Sequence, residues 1–520
     1  AHAAVPMLCG TPQHASEFLA HKPRHPTPPV PDLMDHEVHG AIPNVQYSER
    51  FALKWGPDFD LSEDNANAIL THFEEIHLAE VESWSMASPT DGVRYFNVYV
   101  GDTGGVIPSV GGMAGYYTTD SSGHPMIVLA NDTVTDLPYA RSVIAHEFFH
   151  AVQWASESFW TWETGSWFWE ATATWAAGEV VPDNDSYWNA LPHYALKPQI
   201  GLYHDTMTEH GGAPPDLHQY GAFIFPRYIS EVLESPETIL SAWRDGETDD
   251  DPVAWMRVHM TDEVFGAALV DHAAHNLTWD YIHGERWSSW VDEVASWYPD
   301  QDDRIAPLIA HADADWYTVG DEDMPGAGGY NLIPIPDDVI EEGELVVAVR
   351  PDIEAGLATA TQFRARVVSI VDGVPTRHAV DHTVPHTTLS VEPTAELWLV
   401  VAKLSLLADF PTGYKVAFFP QPDFPEEAPP EDTGDTPVDT GEPLTPDTGE
   451  EPQTTDTGTT ESPPPVEDTG TSPGVASNET TPGSKPKSGC SCTTGGTTRT
   501  GLFWLLLPLL FIRRGDSTPQ

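Results

Sequence analysis

The feature that most restricts this chain is a helical run whose apolar surface is interrupted by three polar groups. Residues 139–155 read YARSVIAHEFFHAVQWA, with neither Pro nor Gly, which predicts one continuous helix. Val143, Ile144, Phe148, Phe149 and Val152 predict that the helix is buried. His146, Glu147 and His150 lie in its middle. Histidines four apart share a helix face. A buried helix accepts two imidazoles and a carboxylate only if each is satisfied. Neutral imidazole is a good ligand for Zn2+, and one ion held between both rings would satisfy them. Glu147 would then lie beside a metal-bound water and take its proton as general base. The same spacing also arises by chance, where it means two ordinary core histidines.

A third ligand is expected downstream. Residues 167–179, WFWEATATWAAGE, read as a second helix carrying Glu170, far enough past His150 for the chain to turn back. Four acids compete for the role. Glu157 follows His150 too closely, Glu163 falls in a stretch that reads as a turn, and Glu179 ends the helix facing solvent. Glu170 lies inside the helix among Ala171, Ala173 and Thr174, small residues that allow close helix approach. An interior Glu there is costly unless paired, so Glu170 is the expected ligand. Two His and one Glu leave a fourth zinc position for water. His218 and Tyr220, opening an expected helix over 218–233, are candidates to stabilise an oxyanion; a helix-start His and a core Tyr are the plainer readings. His272 and His275 read as surface histidines. The tryptophans at 160, 162, 167, 169 and 175 read as core packing or as an apolar substrate pocket.

Outside these helices the pattern divides the chain. Residues 1–46 are rich in His and Pro and read as an arm or a propeptide remnant, with Cys9 a conceivable metal cap. Residues 47–55, 93–100 and 126–130 read as strands, and Ser62 as the cap of a helix bearing Ile69, Phe73 and Ile76. The strand at 126–130 is expected at a sheet edge, where an extended substrate can pair with it. Helical segments continue to about 299. The runs 344–349, 364–371 and 396–402 are β-like and predict a small sandwich over 313–420. Residues 421–488 are acidic, rich in Pro, Thr and Gly, and repeat Asp-Thr-Gly; they read as a disordered stalk. Residues 489–520 hold Cys490, Cys492, the apolar run 502–512 and Arg513-Arg514. That run is shorter than the roughly 20 residues of a comfortable membrane span. The arginines after it are expected on the cytoplasmic side.

Charge narrows the partners. The chain carries 80 acids against 23 Lys and Arg over 520 residues. Phosphate backbones would be repelled, so no nucleic acid is expected to bind. Such a surface suits a salty medium that screens self-repulsion. Three cysteines cannot brace the middle of the chain, so this is not a disulfide-built scaffold. A start at Ala1 fits a signal peptide already removed.

HExxH on one helix with a Glu on the next resembles the gluzincin peptidases, the thermolysin group. Metzincins differ, since Ser156 stands where their third His would be. The Asp that the thermolysin group places one turn after its ligand Glu is here Thr174, which leaves open what orients the histidines. HEFFHAVQW, WFWEATATW and YGAFIFPRYISE at 220–231 resemble secreted metallopeptidases of myxobacteria, over roughly 47–420. The tail resembles the MYXO-CTERM sorting signal. These resemblances imply an α+β zincin-like catalytic domain over 47–312, followed by an all-β sandwich or jelly-roll domain. They imply a secreted zinc metallopeptidase that cleaves protein or peptide substrates. The tail implies sorting and processing machinery acting near the cysteines, display on the outer cell surface, and membrane association through the tail only. The rival expectation is a surface adhesin whose metal-bearing domain is structural; hydrolysis of a non-peptide bond is a third. If the tail is a sorting signal, mass spectrometry of the native protein will find it removed or Cys490 lipidated. An intact, unmodified end at Gln520 would refute the tail assignment.

Overall fold

The alternation over 47–55 predicts one strand, but the chain makes a hairpin there. In the computed structural model, which describes residues 33–419 except 185, 208, 314, 341–342, 353–362 and 407–412, β1 (Asn44–Tyr47) pairs antiparallel with β2 (Phe51–Trp55). The turn is held by Glu74, whose carboxylate accepts from Ser48 Oγ, Arg50 N and Arg50 Nη1. Ser62 caps the following helix α1 (Glu63–His77), accepting from Asn65 N. The chain continues through one π-helical stretch into β3 (Phe96–Val100), β4 (Gly115–Thr119) and β5 (Pro125–Leu129).

These strands form one sheet in the order β1-β2-β3-β5-β4. Pairing is parallel from β2 to β5 and antiparallel at β4. The expected edge strand at 126–130 is therefore interior, and β4 is the edge. Its MIVLA sequence fits that place, since a strand covered on both faces is apolar throughout. Ile127 and Leu129 face the main core, while Met126 and Val128 join Tyr99 and Tyr116 on the other side. Segment 34–40 crosses that second side. Buried Lys54 holds it, with Asp35 at 2.8 Å, Glu37 at 3.1 Å and the His36 carbonyl at 2.7 Å. The described part of the N-terminal arm is thus packed onto the sheet.

The helical layer follows. Helix α2 (Leu137–Ser156) is capped by Asp136 and ends at Glu157 in the left-handed conformation. Helix α3 (Trp162–Val180) begins earlier than expected, so Glu163 lies in its first turn. Then come α4 (Leu191–Ala195), α5 (His218–Gly221), α6 (Ile224–Glu231), α7 (Pro236–Asp245), α8 (Pro252–Met260), α9 (Asp262–Thr278) and α10 (Gly284–Trp297). The single helix expected over 218–233 is thus two short ones. Glu179 does not face open solvent: it accepts from Arg227 Nη1 at 2.7 Å and Ser230 Oγ at 3.0 Å. His272 and His275 are buried, not exposed, because α9 is covered on both sides. Asn276 donates to His272 Nε2 at 3.0 Å, and burial pushes that imidazole down to about 3.

Two antiparallel sheets complete the described chain. The strands are β6 (Ile309–Ala310), β7 (Tyr317–Thr318), β8 (Tyr330–Pro334), β9 (Glu344–Asp352), β10 (Phe363–Val371), β11 (Val374–Val380), β12 (Thr387–Ser390), β13 (Glu396–Lys403) and β14 (Gly413–Phe419). One sheet runs β11-β10-β13-β8 and the other β12-β9-β14-β7-β6, so this layer begins upstream of 313. Ile333, Val367, Leu399 and Val401 face Val347, Val416 and Phe418 between the sheets. On the other face of the four-stranded sheet, Leu332, Val368, Val400 and Ala402 join the core of the helical layer. Arg366 on β10 forks onto Asp271 of α9 at 2.6 and 3.1 Å. The architecture is mixed α/β, with one core continuous from α9 into the sheet. Among the described residues no helix is long and apolar enough to cross a membrane. Cys9, Cys490, Cys492, the stalk and the tail lie outside the described residues.

Leu399 is fully buried between the two sheets. Leu399→Ala should cost about 2–5 kcal/mol, read as a lower urea midpoint at unchanged slope.

Candidate metal centre

The turn between α2 and α3 decides what the two helices can bring together. Glu157 and Phe159 both adopt positive φ, which reverses the chain within a few residues. A side chain at Gly165 would meet the Phe159 carbonyl oxygen at 2.4 Å, so only glycine lets the first turn of α3 pass that close. The two helices therefore pack with small residues between them. Ser166, Glu170 and Thr174, spaced four apart, share one face of α3.

His146, His150 and Glu170 converge, and all three are fully buried. His146 Nε2 and His150 Nε2 are 3.1 Å apart. Glu170 Oε2 lies 3.2 Å from the first and 3.5 Å from the second. A tetrahedral ion with bonds of about 2.0–2.1 Å separates its ligand atoms by about 3.3 Å. The three measured separations straddle that value, so the triangle fits a cation without rearrangement. Among the described residues no fourth His, Cys, Asp or Glu joins the group.

Hydrogen bonds around the triangle fix which nitrogen points inward. The Thr172 hydroxyl donates to the Phe168 carbonyl at 2.6 Å and accepts from Trp243 Nε1 at 3.1 Å and Gln153 Nε2 at 2.9 Å. Gln153 Nε2 also donates to the Trp169 carbonyl at 2.9 Å. With its nitrogen so engaged, Gln153 turns its oxygen to His150 Nδ1 at 2.7 Å. That oxygen only accepts, so His150 carries its proton on Nδ1 and aims a bare Nε2 lone pair at the centre. Thr174 Oγ1 stands 3.5 Å from His146 Nδ1. His146 thus has a weak partner in Thr174, whereas Gln153 supports the other ring closely. Gln153 lies three residues past His150 on the same helix, a spacing that could have identified it; the sequence reading passed over it.

Charge in the site points the same way. Burial would raise the Glu170 carboxyl, but His150 and His146 outweigh it and hold it down to about 2. Burial opposes a charge on His150, and Glu170 with Glu147 outweighs that, raising its pKa above the ordinary imidazole value. Glu170 is thus a carboxylate across the working pH range, and a metal ion competes with protons only at the imidazoles. Glu147, also fully buried, lies close enough to act electrostatically on His150 and on Tyr139.

The surrounding walls are aromatic. His150 stacks on Trp169 (6.2 Å, 21°) and His146 on Tyr220 (5.9 Å, 23°). The Tyr220 hydroxyl reaches Met207 Sδ at 3.7 Å. Tyr220 is therefore at the centre, while His218 is not. Its ring lies against Tyr194 and His204, and burial, with His204 and His193, pushes its pKa well down. Trp167, Trp169 and Trp175 are core residues, as packing predicts. Asp205, which no spacing announced, bonds to Ser166 one turn before Glu170. Burial, then the charges of Glu170 and Glu209, push Asp205 up to about 6 against that bond.

Fold and site together define a mixed α/β protein with a buried group of two histidines and one glutamate that could hold a metal ion. The chain belongs to the family of unknown function DUF6055, whose model matches residues 32–352, a span that includes all of the centre. No curated protein matches it.

Gln153→Ala should weaken metal binding about 10–100-fold, because His150 loses the partner that sets its tautomer. Competition against a chelating dye measures this. Affinity should also fall as pH drops through the imidazole range, not the carboxylate range.

Proposed function

We propose that this protein is a zinc-dependent peptidase of zincin-like architecture, acting on extracellular proteins or peptides. One observation carries the reading: among the described residues the buried group stops at three candidate ligands, with Glu147 next to His146 on the same helix. Structural zinc sites close with four protein ligands, whereas catalytic sites keep a position for water or substrate. Two imidazoles and a carboxylate suit zinc among the common divalent ions. When bound, zinc supplies Lewis-acid polarisation of the substrate carbonyl and makes water acidic enough to be deprotonated near neutral pH.

The protein's own groups do the rest. Glu147 accepts the proton of the attacking water at its carboxylate and delivers it to the leaving amine. His146, His150 and Glu170 fix the centre, and the bond from Gln153 keeps His150 in its ligating tautomer. Tyr220, stacked on His146, supplies a hydroxyl that donates to the carbonyl oxygen as it becomes negative, once it leaves Met207 Sδ. Burial of the centre keeps bulk water out, which strengthens each of these interactions. Substrate entry then requires the loop carrying Asp205 and Met207 to move aside.

Three substitutions separate the roles. Glu147→Gln should retain zinc and lose about 10²–10⁴-fold in peptide hydrolysis, the range of a lost general base. Glu170→Ala should lose zinc, while Glu163→Ala and Glu179→Ala keep it. Metal content by atomic emission and cleavage of casein with and without chelator give the readout. Full hydrolysis by Glu147→Gln, or undiminished zinc affinity in Glu170→Ala, would falsify the proposal.

A further inference from the structure

A cavity of about 360 Å³ opens where the ends of α4 and α9 meet β8 and β13. That volume suits a small-molecule site, and a junction between layers is a common place for one. None of His146, Glu147, His150 and Glu170 lines it. Two indoles do: Trp279 at the end of α9 and Trp398 on β13. Each packs against the core and is partly exposed, so ring surface remains for a ligand.

Trp279 stands where a helix ordinarily ends on glycine. Its backbone is left-handed, at φ 53° and ψ 37°, a conformation costly for a bulky side chain. The turn that follows is tight: a side chain at Gly284 would meet the Trp279 carbonyl oxygen at 1.7 Å. Glycine at 279 would make this turn without strain, so the turn does not account for an indole. Backbone strain kept in this way collects at ligand sites.

Asp302 and Arg304 are the charged side chains of the lining. They are 27% and 28% exposed, so a ligand can reach them. Arg304 Nε and Nη2 fork onto Asp302 Oδ1 and Oδ2, each at 2.8 Å, and Nη1 reaches Asp292 at 2.7 Å. Through that fork Arg304 holds the Asp302 carboxyl below its ordinary value. The guanidinium has more N–H groups than these bonds use, and Asp302 Oδ2 keeps a lone pair. Donors and an acceptor thus share one lining with two aromatic surfaces.

That combination narrows the ligand. An anion finds the guanidinium already balanced by two carboxylates, on a chain with 80 acids against 23 Lys and Arg. A cation meets the charge of Arg304. A wholly apolar ligand would strip water from the ion pair without replacing its hydrogen bonds. A neutral ring with apolar faces and a hydroxyl-bearing edge meets both kinds of surface. We propose that this cavity binds a sugar residue of a neutral glycan, with its C–H face on Trp279 and Trp398 and its hydroxyls on Asp302 and Arg304. Sugar binding there needs neither a metal ion nor hydrolysis, so it stands apart from the peptidase reading.

The test is isothermal titration of the full chain with maltotriose, cellotriose, chitotriose and mannotriose, and with choline as a cationic probe. At least one trisaccharide should bind, equally well at low and high salt and with or without chelator. Trp398→Ala should weaken that sugar about tenfold or more. Trp297→Ala, which removes an exposed indole outside the cavity, should leave binding unchanged. Asp302→Asn, at a half-exposed position that spares folding, should also weaken the sugar. Binding by none of the trisaccharides overturns the site. So does binding that survives both Trp398→Ala and Asp302→Asn, binding that chelator abolishes, or capture of choline in place of any sugar.

Discussion

The structure depends on two fully buried imidazoles whose inward nitrogens stand 3.1 Å apart. A bare lone pair on each would repel, and a carboxylate 3.2–3.5 Å away adds a full negative charge. Only a proton between the rings or a cation among all three can hold that arrangement. Gln153 removes part of the freedom, because its amide is locked by Thr172 and Trp169 and forces the His150 proton outward. Thr172 is in turn fixed by Trp243, so a helix distant in sequence helps decide the tautomer of a histidine. Such a chain satisfies every buried polar group it includes. It also holds the ring in the orientation that a bound metal ion would need.

Holding the triangle requires two helices at close range, and several local devices serve that end. The residues at 157 and 159 reverse the chain in the left-handed region, and Gly165 clears the Phe159 carbonyl. Phe148 and Phe149, on the other side of α2, lock it against Phe51, Phe96 and Trp84. The histidines therefore cannot relax apart by a helix shift without opening a packed aromatic core. The rigidity lies in the scaffold, so the ligand geometry can exist before the ligand arrives.

What could be read in the sequence followed the range of the interactions involved. The helix around His146 and its face were legible because periodicity and spacing are local, and Glu170 because it lies on the next helix. Long-range pairing was not. Nothing in MIVLA says which neighbours it has, and β4, not β5, proved to be the edge. His272 and His275 looked like surface residues because one face of α9 was taken as exposed; the β-sheet on its far side buries both. Glu179 looked solvated because its partner, Arg227, is 48 residues away. His218 and Tyr220 were near neighbours as candidates; two residues apart on one short helix they point to different sides, and only Tyr220 lies against His146. Asp205 carried no signal, since its place follows from the path of a loop between helices.

That loop also explains why the β layer is part of the site and not an appendage. Its stem at 198–202 is bonded backbone to backbone with the start of the β layer: Gly326 N to Gln199 O, Leu202 N to Ala327 O, and Tyr330 N to Pro198 O, at 2.8–2.9 Å. A side chain at Gly201 would meet the Ala327 carbonyl oxygen at 1.9 Å, so the two strands of chain touch as closely as backbone allows. From this anchor the loop runs to Asp205, beside Ser166, and to Met207, beneath the Tyr220 hydroxyl. A displacement of the β layer would carry Gly326 and Ala327 with it, and with them the loop that bounds the metal centre. Since β8, β10 and β13 share their outer face with α9 in one core, such a displacement would also expose Val400 and Ala402 to water. The shape of the site and the docking of the β layer are therefore a single packing problem, which a chain cut near 313 would fail to solve.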